Sequence, residues 1–575
     1  MALFIDKKKE AIANLITIEG VSQQEIYNLI TIPEDMEMGD YALPCFRFAK
    51  ALRKSPVAIA NDLAETFNST GSQFTATAIN GYLNFKGNKL ALAFETLSAI
   101  VKEGANYATS DLGANKTVCM DYSSVNIAKP FHIGHLSTTV IGGALYRAYK
   151  KLGYNAVGIN HLGDWGTQFG KLIVAYKMWG NPADIEARGV TALNELYVKF
   201  HHEAEQNEEL NNEARRYFKL IEDGNEEALE LFSLFKKITL KEAQSVYERL
   251  DIHFDSYNGE AFYNDKMDAV LDELAENNLI VESEGAKVVD LADYDMPPCL
   301  LVKADGATLY ATRDLAAAFY RKNTYNCYKS LYIVAYQQNL HFKQVFKVVE
   351  LMGKEWAKDL IHVPFGMVSL AEGTMSTRKG NVVLLKDVFD RAVEKSLAII
   401  TEKNSALQDK ATVAEQIGVG AVVFFALSNN RIKDIVFSYD KVLNFEGETG
   451  PYVQYTYARC NSILKNLGEN VADYLQAPLT AEELEGVNNK SSEALIAGLS
   501  RLPAVLFDVT ERYEPSILTR YVVNICQDFN RFYLENRILN VAPELKRSRV
   551  AVVYAAATVI KESLRILGIS APSEM

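Results

Sequence analysis

Two imidazoles stand three residues apart, with a glycine between them, in Pro130-Phe131-His132-Ile133-Gly134-His135. At the start of a helix, where a glycine lets a ligand approach closely, they suit the phosphates of a nucleotide. As a bare four-residue pattern it would equally serve as a helix start with two polar residues. Far downstream, Met375-Ser376-Thr377-Arg378-Lys379-Gly380 gathers hydroxyls and cations in one stretch. Groups of that kind on a loop can close over a triphosphate and stabilise charge as pyrophosphate leaves. Alone, the stretch reads as a solvated basic turn. Found in this order in one chain, each pattern strengthens the other.

Both need a frame. Thr117–Tyr122 is apolar and reads as a strand, Ser123–Phe131 as irregular, and Gly134–Leu152 as a helix. A second strand, Ala156–Leu162, runs into Gly163-Asp164-Trp165-Gly166, and further strands are expected at Lys287–Leu291, Leu300–Lys303, Leu331–Ala335, His362–Val368 and Val382–Leu385. Strands alternating with helices predict an α/β domain with a parallel sheet, whose ligands collect at the strands' carboxyl ends. Ahead of it, residues 1–110 read as an α+β module. Its helical spacing runs over Ala11–Leu29 and Val57–Phe67, and a hairpin over Phe74–Phe85 turns at Asn80-Gly81. From Asp387 on, the pattern is helical to the end, with breaks near Gly447–Pro451, Gln476–Thr480 and Asn540–Pro543.

The net charge of −13 over 575 residues argues, taken whole, against a basic nucleic-acid binder. Its distribution reverses that. Residues 181–284 hold 25 acidic and 10 basic side chains, so the rest of the chain is close to neutral. That stretch reads as a solvated helical insertion with little to do chemistry. Residues 501–565 are mildly basic, with eight arginines, and the expected helix Leu518–Leu539 interleaves Arg520, Arg531 and Arg537 with aromatic residues. Six scattered cysteines without a CxxC pair argue against a zinc site or a disulfide framework. Asp6 to Glu10 interrupt any signal-peptide core, and the apolar run Ile417–Leu427 is too short for a bilayer. The expectation is a cytoplasmic protein without a membrane partner.

The patterns also carry a resemblance. His132-Ile-Gly-His135 and Thr374-Met-Ser-Thr-Arg-Lys379 resemble the HIGH and KMSKS signatures of class I aminoacyl-tRNA synthetases. Around them, Asp121-Tyr-Ser-Ser-Val-Asn126-Ile-Ala-Lys129, Asn160-His-Leu-Gly-Asp164-Trp-Gly-Thr-Gln168, Tyr310-Ala-Thr-Arg313-Asp314, Gln338-Asn-Leu-His341-Phe and Phe445-Glu-Gly-Glu-Thr-Gly-Pro-Tyr452 are similar to the arginyl-tRNA synthetase family over essentially the whole chain. Two departures stand out. Neither KMSKS lysine is in its usual register, and Val125 replaces a proline common in relatives.

The resemblance implies a multidomain α/β protein. It would have an additional tRNA-binding domain over 1–110, a Rossmann-like catalytic domain over 111–386 with the acidic insertion at about 181–258, and a helical region over 387–575 with the anticodon-binding domain from about 440. It implies activation of L-arginine with ATP and Mg²⁺ and transfer to tRNA(Arg), by a protein that binds no zinc and acts as a monomer. Catalytic charge stabilisation would come from His132, His135, Lys129, Arg378 and Lys379. ATP would be held by His132, Gly134, His135, Asp164, Met375 and Ser376. Arginine would be held by Asp121, Ser123, Asn126, Glu260, Tyr310, Asp314 and Gln338, since a guanidinium demands carboxylates in bidentate geometry. Asn80, Tyr82, Asn84 and Met575 would touch tRNA. Each acidic residue has an ordinary alternative: Asp314 pairing with Arg313, Glu260 lying on the insertion surface. Rival readings are a nucleotidylyltransferase, a cysteinyl enzyme, or a non-catalytic RNA-binding relative.

Overall fold

The computed structural model describes residues 7–33, 38–304, 306–370 and 383–575. It divides into two compact units.

The first unit takes the chain up to Ala108 together with Arg459–Phe507 and Asn524–Ile560. Strands β1 (Tyr41–Pro44), β2 (Phe74–Ile79) and β3 (Tyr82–Gly87) form an antiparallel sheet in the order β1-β3-β2. Asn80 and Gly81 both have positive φ, the requirement of a two-residue hairpin turn, and Ile79 pairs with Tyr82 across it. Phe67 of the helix Pro56–Asn68 meets Phe85 edge-on, at 5.0 Å between centroids, in a core with Leu83, Ile59 and Phe74. The single helical pattern expected over Ala11–Leu29 is broken into two helices, Lys7–Asn14 and Gln23–Leu29. Gly20 turns the chain with φ 76°, and Ser22 with Glu25 builds a reciprocal cap that starts the second helix.

The second unit holds Thr109–Ala458, Asp508–Val523 and Lys561–Met575. Its sheet uses β4 (Thr117–Asp121) and β5 (Asn155–Ile159). After them come a small antiparallel sheet of β6 (Ile280–Ser283), β7 (Ala286–Val289) and β8 (Cys299–Val302), then β9 (Lys329–Tyr332) and β10 (Leu360–His362). The order β10-β9-β4-β5 is parallel throughout. This is the Rossmann-like arrangement, and β4 lies at its centre.

Two expectations are corrected here. Of the strand expected over Val382–Leu385, the described residues 383–385 form none: Leu385 already opens a helix running to Lys403, and Leu384 makes only an isolated bridge. The region beyond Asp387 is not wholly helical either, because β12 (Ile435–Phe437) pairs in parallel with β11 (Val368–Leu370). Three β-branched or aromatic residues, Ile435-Val-Phe437, carry a strand too short to show a period. The helix Lys410–Ser428 is long and apolar enough to cross a membrane, but most of it is buried inside this unit.

Candidate functional site

The loop from β4 to the helix Leu136–Lys151 is unusual backbone. Ser123, Ser124 and Ala128 all have φ between 45° and 70°, a region that side chains disfavour. Neighbours hold it there. Ser123 Oγ sits 2.9 Å from Thr139 Oγ1 and 2.8 Å from the Tyr247 hydroxyl, and the Ala128 N–H donates to Thr239 Oγ1 at 2.9 Å. Thr239 and Tyr247 belong to the helix Glu226–Arg249, in the acidic insertion. That insertion is therefore not simply a solvated appendage, since one face of its last helix is the back wall of the loop. Composition hid this, because a few buried residues on one face barely alter the polar average of the segment.

At the end of the loop, His132 Nδ1 accepts from the Gly134 N–H at 3.0 Å, and His135 Nδ1 accepts from the His132 N–H at 3.2 Å. With both Nδ1 atoms accepting, each neutral ring carries its proton on Nε2. Burial, helped by the Lys129 ammonium, pushes the His132 imidazole down to about 4. Burial and the adjacent His132 push His135 down to about 3. The rings lie 4.1 Å apart and Phe131 stacks on His135 at 5.1 Å. The pair thus offers two neutral N–H donors at neutral pH. The Ile133 N–H donates to Val383 O at 3.1 Å and the Leu385 N–H to Phe131 O at 2.9 Å. The chain leaving the second basic stretch is thereby tied to the first motif.

Two carboxylates of the same domain make no ion pair with a lysine or arginine among the described residues. Glu260 follows Gly259, where an added Cβ would stand 2.5 Å from both Asp164 Oδ1 and Leu162 O, so only glycine fits. The Glu260 N–H donates to Leu162 O and the Ala261 N–H to Asp164 Oδ1, each at 2.9 Å. Its carboxyl is half-buried and makes no ion pair among the described residues. Burial, with Asp314 and Asp164 nearby and only partly countered by Arg313, pushes it up to about 7. Asp314 lies on the helix Tyr310–Tyr325 and accepts from His341 Nε2 at 2.5 Å. Arg313 turns instead to Asn264, at 3.4 Å.

Comparison with known proteins bears on what this frame is for. Residues 96–439 match the family described as tRNA synthetases class I (R), catalytic domain. Residues 5–86 match the arginyl tRNA synthetase N terminal domain, and 453–575 the DALR anticodon binding domain. The chain is 50% identical over 569 residues to the arginine–tRNA ligase of Alkaliphilus metalliredigens, covering 99% of each chain. It has the same identity and coverage with that of Clostridioides difficile. The chain belongs to the arginine–tRNA ligase family. The arginyl-tRNA synthetase structures of Thermus thermophilus (TM-score 0.83, 23% identity, all of both chains) and Plasmodium falciparum (0.80, 22%, 99% of each) share the fold.

Of the residues expected to serve an arginine–tRNA ligase, some are exposed or half-buried and others are buried. Asn126 and Gln338 are exposed, Tyr310 is 64% exposed at the start of its helix, and Lys129 is half-buried. Asn126 packs so closely on Gly163 that a Cβ there would lie 2.0 Å from its Oδ1.

Asp164 is fully buried. Lys236 donates to one of its oxygens at 2.6 Å and Ala261 to the other, so it braces the Glu260 segment. Asp121 is likewise committed, to Arg321 at 2.7 Å and to the Ser124 hydroxyl at 2.7 Å. Burial pushes the Asp121 carboxyl up, yet Arg321, His161 and Ser124 together hold it below its usual range. Ser123 is buried, with its hydroxyl engaged in the bonds given above. Asn84 is buried at the middle of the first unit's sheet, between Ala42 and Thr77, whereas Asn80 and Tyr82 are exposed. Met575 packs against Ile400, Val413 and Ile417 of two helices, and its carbonyl accepts from Asn404 at 3.2 Å. Met375, Ser376, Arg378 and Lys379 lie outside the described residues.

Sequence reading missed Arg321, Lys236, Tyr247 and Thr239 altogether. None sits in a motif, and each matters through a partner at least 70 residues away in the chain. It also passed over Phe46, exposed and edge-on to Tyr82 at 5.2 Å.

Proposed function

We infer that the carboxyl end of the parallel sheet is where this arginine–tRNA ligase activates L-arginine with ATP and passes the arginyl group to tRNA(Arg). The observation that carries the placement is a pair of carboxylates, Glu260 and Asp314, that make no ion pair with a lysine or arginine among the described residues. A guanidinium is the ligand that such a pair demands. Asn126 and Gln338 would hold the α-amino and carboxylate end, with the Tyr310 hydroxyl beside the guanidinium.

In the first step the arginine carboxylate attacks the α-phosphorus in line, and pyrophosphate leaves. The chain need supply neither nucleophile nor base; its task is positioning and charge stabilisation. His132 and His135 do this as neutral Nε2–H donors, which can bond phosphate oxygens without first losing a proton. Lys129, Arg378 and Lys379 share the remaining charge. Mg²⁺ enters bound to ATP. In the second step the arginyl group passes to the terminal adenosine of tRNA, through the 2′-OH in keeping with class I chemistry.

The reading extends to the partners. Residues 1–110 form the additional tRNA-binding domain, 111–386 the catalytic domain, and the helical region from 387 holds the anticodon-binding domain. Tyr82 and Asn80 are the RNA-facing residues of the hairpin, since stacking on an exposed aromatic beside an amide suits an unpaired base. Cytoplasmic location suits six buried, unbridged cysteines. The working unit is read as one chain, which size exclusion with light scattering checks. ATP–pyrophosphate exchange with each amino acid, with and without tRNA(Arg), tests the whole. Exchange with arginine is expected once tRNA is added, and its absence would refute the placement.

A further inference from the structure

Asp314 does not hang freely. Its Oδ2 accepts from His341 Nε2 at 2.5 Å, and both side chains are about a quarter exposed. His341 sits in the first turn of the helix Asn339–Leu351, while Asp314 sits one turn beyond Tyr310 on the helix Tyr310–Tyr325. The bond therefore links the opening turns of two helices, each near a residue assigned to arginine: Tyr310 on one, Gln338 at the head of the other. The imidazole is itself held, edge-on to Phe342 at 5.3 Å, and Phe342 packs in the buried core against Tyr332 at 5.1 Å.

We propose that His341 is a positioning residue for arginine recognition, locking the Asp314 carboxylate in the rotamer that faces the guanidinium. The proposal rests on Asp314 being a guanidinium ligand. A short carboxylate on a helix has rotamers to lose, and ordering it before the substrate arrives removes that cost from binding. One donor on Oδ2 leaves the lock compatible with a bidentate guanidinium, because each carboxylate oxygen accepts more than one hydrogen bond. The nearest alternative donor, Arg313, turns to Asn264 and leaves the role to the histidine.

The test separates the lock from the site. His341→Leu should raise the arginine KM about ten- to hundredfold, the loss expected for a hydrogen bond to a charged group. The ATP KM should stay within about twofold, since the lock acts on one substrate only. His341→Gln, whose amide reaches the same oxygen, should restore the arginine KM. His341→Asn, one methylene shorter, should not. In an Asp314→Asn background, His341→Leu should add almost nothing, because coupled residues are not additive. An unchanged arginine KM in His341→Leu, equal rises for both substrates, or no rescue by His341→Gln would each overturn the proposal. An unchanged arginine KM in Asp314→Asn alone would instead overturn the placement of the guanidinium. Should His341→Leu fail to fold, the Gln and Asn variants carry the test between them.

Discussion

Two sets of acids in the catalytic domain, one buried and one half-buried, are built on opposite principles. Asp121 and Asp164 each lie sealed with a cation, Arg321 and Lys236, at 2.7 and 2.6 Å. Every carboxylate oxygen of that pair of residues has a donor inside the protein. Glu260 and Asp314 make no ion pair with a lysine or arginine among the described residues, and burial pushes the Glu260 carboxyl up to about 7. A buried charge without a partner is costly, and a protein retains that cost only where something else supplies the partner. The closed pairs hold the frame, and the open pair is the one proposed to meet the guanidinium.

The sharpest way to break that contrast is to remove a partner from a closed pair. Arg321→Met strands a buried Asp121 and should cost about 3–5 kcal/mol of stability. Urea unfolding measures it, and a change below about 1 kcal/mol would mean that the pair is not structural. The reverse result belongs to the open pair. Glu260→Gln should leave stability unchanged or higher while weakening arginine by about 2–4 kcal/mol, read as kcat/KM for arginine in pyrophosphate exchange with tRNA present.

Next in size is a pH effect. In the free protein Glu260 binds its proton up to about 7, above the 4.5 of an unperturbed carboxyl, and a guanidinium needs the anion. Arginine binding thus expels a proton, so its KM should fall about tenfold between pH 6 and pH 8, and flatten in Glu260→Gln. The same group's stabilising contribution is complete below about 4.5 and is lost as pH rises through about 7. The histidines run the other way. Their values lie below 6.5, so their contribution is complete above that and is lost as pH falls toward about 4. The smallest effect concerns RNA. Tyr82→Ala should weaken tRNA binding by about 1 kcal/mol without altering unfolding, whereas Asn84→Ala should destabilise the sheet. Filter binding and thermal melts on the two variants distinguish these outcomes.

Much of this was readable in the chain as written. The strand ending at Asp121, the loop to His132 and the helix beyond are adjacent in sequence, and local pattern is enough to order them. The Asn80-Gly81 turn needs positive φ twice, which is why a dipeptide could announce it. Less was readable where a few residues decide. The break within Ala11–Leu29 comes from one left-handed glycine and one cap, both invisible to apolar spacing. The short strand Ile435–Phe437 exists only because Val368–Leu370 lies beside it. Alternation in the hairpin puts Tyr82 and Asn84 on one face and so suggested that both would be exposed, yet Asn84 is buried and Tyr82 is not, a difference set by what packs over each position.

The amino-acid sequence by itself determined the family, the order of the elements and the two imidazoles at the head of a helix, because each is carried by neighbours in the chain. Only the tertiary structure decided which acids are free to meet a substrate. Asp121, Asp164, Glu260 and Asp314 are all carboxylates, three aspartates and a glutamate, and their availability depends on whether Arg321 or Lys236 comes to rest against them or, among the described residues, no lysine or arginine does. Electrostatic pairing acts over a few ångströms of space, and those ångströms are set by packing between residues up to 200 positions apart.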